Sequence, residues 1–287
     1  MANVRIEHFF HPDSFTYTYV VAEEAGEHCV IIDSALDYDP KSGRTATIAA
    51  DEIVAHVRDN NLVVDWILET HPHADHITAA PYLKEQLGGR IGIGQGVCQV
   101  QRNFKAVFNL GAEFAIDGSQ FDHLFAEGER FSFGAASGAV WSTPGHTPAC
   151  VCYLIEDAVF VGDTIFMPDF GSARCDFPDG DARTLFHSVK RLLALPPATR
   201  MFMCHDYGPG GREYRWLTTV AEQRADNKHM NDGVGEEEFV AMRTARDNEL
   251  DMPVLLLPAV QVNIRGGAFP PAEDNGVSYL KMPLNAV

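Results

Sequence analysis

The sequence predicts an α/β fold of two mixed sheets packed face to face, with helices outside. Three observations carry that prediction. Short apolar runs of strand type recur in both halves of the chain, helical spacings of apolar residues alternate with them, and histidines and aspartates stand where those runs end.

The elements follow in order. Phe15 to Val21 and His28 to Ile32 flank Glu23-Glu24-Ala25-Gly26-Glu27, a polar turn with a glycine, which predicts a hairpin ending at Asp33. From about 45 to 60, Ile48, Ile53, Val54 and Val57 recur at helical spacing, and Val63 to Leu68 follows as a buried strand. That strand leads into His71-Pro72-His73-Ala74-Asp75-His76, where four potential metal ligands fall within six residues. Imidazole and carboxylate suit zinc, iron and manganese, and α/β folds place ligand sites at the carboxyl ends of strands. Ile77 to Leu87 reads as a helix stopped by Gly88-Gly89.

The middle of the chain is β-rich, with runs at Phe121 to Phe125, Arg130 to Phe133, Ala139 to Ser142, Val151 to Ile155 and Ala158 to Val161. The third leads through Thr143-Pro144-Gly145 to His146, and the last through Gly162 to Asp163. A helix of about 181 to 194 follows, with Leu185, Val189, Leu192 and Leu193 as its apolar stripe; Met201 to Cys204 is then a short strand delivering His205. Glu236-Glu237-Glu238 predicts the acidic start of a helix. Leu255-Leu256-Leu257-Pro258 reads as strand-like or extended, and Gly266 to Val287 as an extended surface tail. The expectation is a single domain over 1–287.

Composition narrows the partners. Hydrophobic residues make up 46% of 287, enough for a sizeable core, while 22 Lys+Arg against 40 Asp+Glu give a net charge of −18. Such a chain repels nucleic acid and anionic membranes, so neither is expected as a partner. No apolar run approaches the roughly 20 residues that span a bilayer. The N-terminal stretch from Met1 to Glu7 lacks the apolar core of a signal, and a cytoplasmic location is expected. Six cysteines without zinc-finger spacing read as buried thiols. His8, His11, His28, His56, His123, His187 and His229 read as structural or solvated. Gly92-Ile93-Gly94-Gln95-Gly96 reads as a strand end and turn, not a nucleotide loop. A homo-oligomer is left open.

His-x-His-x-Asp-His, then Gly-His, Gly-Asp and His-Asp-Tyr, each after a short apolar strand, resembles the metallo-β-lactamase superfamily from 15 to 205. That resemblance implies an αββα sandwich with its metal site at one sheet edge. A narrower likeness lies in Gly162-Asp163-Thr164-Ile165, Ala173-Arg174-Cys175-Asp176-Phe177, Thr184 to Val189, His205-Asp206-Tyr207 and Asn263-Ile264-Arg265-Gly266. These are similar to the glutathione persulfide (sulfur) dioxygenases. Met167-Pro168-Asp169-Phe170-Gly171-Ser172 departs from the animal members and points to a bacterial-type branch with a different pocket.

The resemblance implies one Fe(II) per chain held by His71, His146 and Asp163, with glutathione persulfide and O2 as reactants, and sulfite and glutathione as products. Two imidazoles and one carboxylate leave up to three iron positions open, as oxygenases require. His73, Asp75, His76 and His205 then support the ligands and line the pocket. In the two-metal alternative, Asp75, His76 and His205 hold a second ion, Asp163 bridges, and His71, His73 and His146 hold the first. Arg174 and Tyr207 are read as substrate contacts, against the blander readings of an Arg174–Asp176 pair and a Tyr207 packed in the core. The rival reaction is a glyoxalase II-like thioesterase acting on S-acylglutathione at two metals. The shorter stretch from 206 to 287, ending in an extended element, is read as disfavouring it. Seven ligand candidates also exceed the four that close a structural zinc site.

Overall fold

The structure is a computed structural model and describes residues 4–285. Met1 to Asn3, part of the stretch read for a signal, and the last two residues of the expected tail lie outside them.

The first half runs β1 (Val4–His11), β2 (Thr16–Glu23), β3 (His28–Ile32), β4 (Ala35–Asp39), β5 (Arg44–Ala46), α1 (Ile48–Asp59), β6 (Val63–Glu69), β7 (Ile77–Thr78), α2 (Ala80–Leu87), β8 (Arg90–Gly94), α3 (Val97–Val107) and β9 (His123–Phe125). The second half runs β10 (Arg130–Phe133), β11 (Ala136–Ser142), β12 (Val151–Ile155), β13 (Ala158–Phe160), α4 (Ala182–Leu193), β14 (Arg200–Phe202), β15 (Leu217–Thr219), α5 (Val220–Asp226), α6 (Glu236–Asp247) and α7 (Leu256–Asn263).

One six-stranded sheet has the order β1-β2-β3-β6-β8-β9 and the other β10-β11-β12-β13-β14-β15, each mixing parallel and antiparallel pairs. Side-chain alternation makes both sheets two-faced. Along β2, Tyr17, Tyr19 and Val21 pack between the sheets against Phe133, Tyr153 and Phe160, whereas Val20 and Ala22 point to the layer containing α1, α2 and α7. The outer face of the second sheet packs on α4 and α6 through Leu185, Val189 and Phe239. This is the αββα sandwich. Among the described residues no helix is long and apolar enough to cross a membrane, and all six cysteines are free thiols.

Three expectations need correction. The helix expected from Ile77 begins only at Ala80, because Ile77 and Thr78 pair with β4 and Pro81 sits in the helix's first turn, where its missing N–H costs nothing. Leu255 to Pro258 opens α7 instead of an extended element, and its proline likewise stands in the first turn. The region after 206 is therefore rich in helix, which removes that argument against a thioesterase. The acidic run at Glu236 does begin a helix, α6.

Candidate metal centre

All seven candidate ligands gather at one sheet edge. His71, His73, Asp75 and His76 follow β6, His146 lies between β11 and β12, Asp163 follows β13, and His205 follows β14. Glycine makes two of these turns feasible. Gly162 has φ 52, and a Cβ there would stand 2.6 Å from the Thr70 hydroxyl; Gly145 has φ 138, and a Cβ there would meet the Leu185 backbone nitrogen at 2.4 Å.

The imidazoles share a pattern: one ring nitrogen is held by the protein, and the other faces inward. His146 Nδ1 donates to the Arg174 carbonyl at 2.7 Å. His71 Nδ1 meets the Thr70 hydroxyl at 3.0 Å, and that hydroxyl donates to Asp33 Oδ2 at 2.9 Å. His73 Nε2 reaches Asp33 Oδ1 at 3.0 Å and Glu69 Oε2 at 3.3 Å. His205 Nδ1 donates to the Phe15 carbonyl at 3.3 Å, and His76 Nδ1 to Asp75 Oδ1 at 3.3 Å. Among the described residues, the inward atoms His71 Nε2, His73 Nδ1, His76 Nε2, His205 Nε2, Asp75 Oδ2 and Asp163 Oδ1 are buried without a partner. Unpartnered buried polar atoms are rare and costly, and six gathered at one sheet edge fit metal binding.

The atoms form two sets, each within 4.8 Å: His71, His146 and Asp163, and then His73, Asp75, His76 and His205. In the first, Asp163 Oδ2 lies 3.9 Å from His71 Nε2 and 3.7 Å from His146 Nε2. Ligands bonded to one ion at about 2.1 Å sit roughly 3 to 3.5 Å apart, so slight contraction closes this set. Asp163 Oδ1 is 3.3 Å from His205 Nε2, which places the carboxylate between the sets. The geometry groups His73 with Asp75, whereas the two-metal alternative gave it to the first ion; its ring lies 4.2 Å from both His71 and His76.

Burial raises the Asp163 carboxyl and holds His71 well below the ordinary histidine range, with neighbouring His73 adding to the latter. Burial alone would lower His73 too, but the Asp33 and Glu69 carboxylates carry it well above that range. Cys204, buried beside Asp163 and His205, is pushed well up by burial and nearby carboxylates and stays a thiol.

A cavity of about 210 Å³ opens on the first set, with His146 and Asp163 in its wall and Phe166, Phe170 and Phe177 around them. Arg174 lines it, and its guanidinium is bound to Asp176 at 2.6 and 2.5 Å and to the Asp251 carbonyl at 2.8 Å, so the pair with Asp176 forms at the cavity wall. Tyr207 lines the cavity 36% exposed and packs on Phe170 at 4.6 Å, and so is not core. Phe170 belongs to the departing stretch 167–172 and shapes the pocket. Sequence reasoning missed Arg243 and Arg246, which α6 adds to the same wall, and Asn263 at the end of α7. Asn263 accepts from Thr78 N at 3.0 Å and donates to the carbonyls of His73 and His76, both at 2.8 Å, clamping the ligand loop.

The model of the metallo-beta-lactamase superfamily matches residues 11–205, and the chain belongs to that superfamily. Within it, the chain is similar to the mitochondrial persulfide dioxygenase ETHE1 of Mus musculus, at 30% identity over 94% of this chain and 91% of that one. The crystal structure of ETHE1 from Myxococcus xanthus has a TM-score of 0.73 at 29% identity, covering 92% of this chain and 100% of that one. A probable metallo-hydrolase of Burkholderia pseudomallei is 53% identical, over 98% of this chain and 99% of the relative. A protein of Dictyostelium discoideum named Glyoxylase B2 is 52% identical, over 98% and 97%.

Proposed function

We propose that this protein is a persulfide dioxygenase that oxidises glutathione persulfide with O2 and water to sulfite and glutathione, using one Fe(II) held by His71, His146 and Asp163. The observation that carries the reading is the first ligand set, three donors closing on the wall of a cavity walled by aromatic and cationic residues. The similarity to persulfide dioxygenases over nearly the whole chain supports it.

Iron held by His71, His146 and Asp163 would supply open coordination positions and one-electron chemistry for oxidation of sulfur by O2. The chain's own residues do the rest. The Arg174 carbonyl fixes which nitrogen of His146 carries its proton, leaving Nε2 free to ligate. Phe166, Phe170 and Phe177 keep water from the cavity around a polarisable sulfur chain. Arg246, exposed on α6 at the cavity wall, offers a cation to a glutathione carboxylate, which Arg174 is less able to do while bound to Asp176. An overall charge of −18 makes such a local cation necessary for an anionic substrate.

A second reading, a dinuclear glyoxalase II-like hydrolase of glutathione thioesters, is favoured by the second ligand set and by the names of two relatives above 50% identity. One experiment separates them: metal content of freshly purified protein, with oxygen uptake on glutathione persulfide and hydrolysis of S-lactoylglutathione assayed side by side. About one iron per chain with oxygen uptake is expected. Two metals per chain with hydrolysis and no oxygen uptake would overturn the proposal.

A further inference from the structure

Thr16, the first residue of β2, is fully buried where the two sheets meet, and it bridges in antiparallel fashion to His205. Its hydroxyl oxygen lies 3.3 Å from His76 Nδ1, 3.3 Å from His205 Nδ1 and 2.8 Å from Ser14 Oγ. Ser14 Oγ in turn lies 2.7 Å from His11 Nδ1. The other nitrogen of His11 is 3.6 Å from Asp37 Oδ1, in the wall of a groove of about 1010 Å³ whose lining also includes Asp75 and His76. His11 is 7% exposed, and its Nε2 has no hydrogen-bond partner among the described residues.

Counting hydrogens gives this chain a direction. A carbonyl oxygen only accepts, so the contact with Phe15 requires a proton on His205 Nδ1. His76 Nδ1 lies 3.3 Å from Asp75 Oδ1, and a carboxylate oxygen likewise only accepts, which places a proton on that nitrogen. Facing these N–H groups, the Thr16 oxygen can only accept, and its one hydrogen must turn toward Ser14. There the Oγ at 2.8 Å outcompetes the Ser14 carbonyl at 3.4 Å. Ser14 then donates to His11 Nδ1, and His11 keeps its hydrogen on Nε2, toward Asp37 and the groove.

We infer that Thr16, Ser14 and His11 form a positioning chain that, together with the Phe15 carbonyl and Asp75, holds the tautomers of His76 and His205, so that both rings present a bare Nε2 to the metal pocket. None of the three touches reactant; they act through the two rings. Pre-set lone pairs spare the pocket a ring reorganisation when a metal ion or a reactant proton arrives. The inference rests on those rings facing the reacting centre and holds for either reaction above.

The test is long-range proton–nitrogen NMR of the metal-free full chain with labelled histidines. In the wild type, His76 and His205 should carry their proton on Nδ1, and His11 on Nε2. Thr16→Val, which keeps the shape and removes the hydroxyl, should lose the single Nδ1–H signature of His76 or His205 and that of Nε2–H in His11, while Thr16→Ser restores both. A wild-type Nε2–H on His76 or His205, or an unchanged spectrum in Thr16→Val, would overturn the inference. The wild-type spectrum decides even if the valine variant fails to fold. No substrate is present, so this outcome is independent of the oxygen-uptake test.

Discussion

The two ligand sets differ in what stands behind them. His71 and His146 lean on a hydroxyl and a backbone carbonyl, both neutral, so the first set holds one carboxylate and no cation of its own. In the second, His73 is bonded to both Asp33 and Glu69, which keep it protonated in the metal-free protein against the pull of burial. Without metal the second set thus holds a positive ring among its acids, whereas in the first burial raises the Asp163 carboxyl. In the single-ion proposal the metal sits on His71, His146 and Asp163 and the second set stays metal-free, whereas in the dinuclear reading a metal displaces the second proton of His73.

The strongest test of the contrast is a pair of variants. Asp163→Asn should lose nearly all bound iron and more than about a hundredfold of oxygen uptake, since a ligand matters at least as much as the groups behind it. His205→Ala should keep most of its iron by elemental analysis. Equal iron loss in the two would break the distinction between the sets.

Acid should sharpen it. The His76 pKa lies at about 4 when folded against 6.5 when free, so between those values the unfolded chain binds more protons. The stability this ring contributes is present above pH 6.5 and is lost as pH falls through about 4, on the order of 3 kcal/mol. His71 adds in the same direction, while His73, with a raised pKa, contributes below its unfolded value and loses that as pH rises through its folded one. Urea unfolding of metal-free protein across this range should show the slope, and His76→Asn should flatten it.

Asn263→Ala removes the side-chain partner of three backbone groups in the loop that carries four of the ligands. We expect a cost of about 2 kcal/mol by urea unfolding and lowered affinity in both sets at once. The smallest effect belongs to the cavity rim: Arg246→Ala should raise KM for glutathione persulfide roughly tenfold, with kcat nearly unchanged. A change in kcat alone would place Arg246 outside substrate binding.

How much of this the sequence disclosed depends on distance along the chain. The cluster from His71 to His76 is legible because its ligands are neighbours, and Asp163 because an apolar run stops just before it. Thr16 sends no local signal, and Asn263 stands out only within the Asn-x-Arg-Gly likeness, its clamping role unread: Thr16 meets His205 across 189 positions, and Asn263 meets the His73 carbonyl across 190. β1 escapes notice because one side of it is partly exposed and charged residues interrupt it. α7 has nearly uniform apolarity with no stripe, and its early proline imitates a break. The Arg174–Asp176 pair, two residues apart, was readable as the blander option, and it is what formed.

Tyr207, Pro253 and Asp75 line both the aromatic cavity and the wider groove that reaches His11. These three side chains therefore form one wall shared by two hollows, so a change at any of them reshapes both at once.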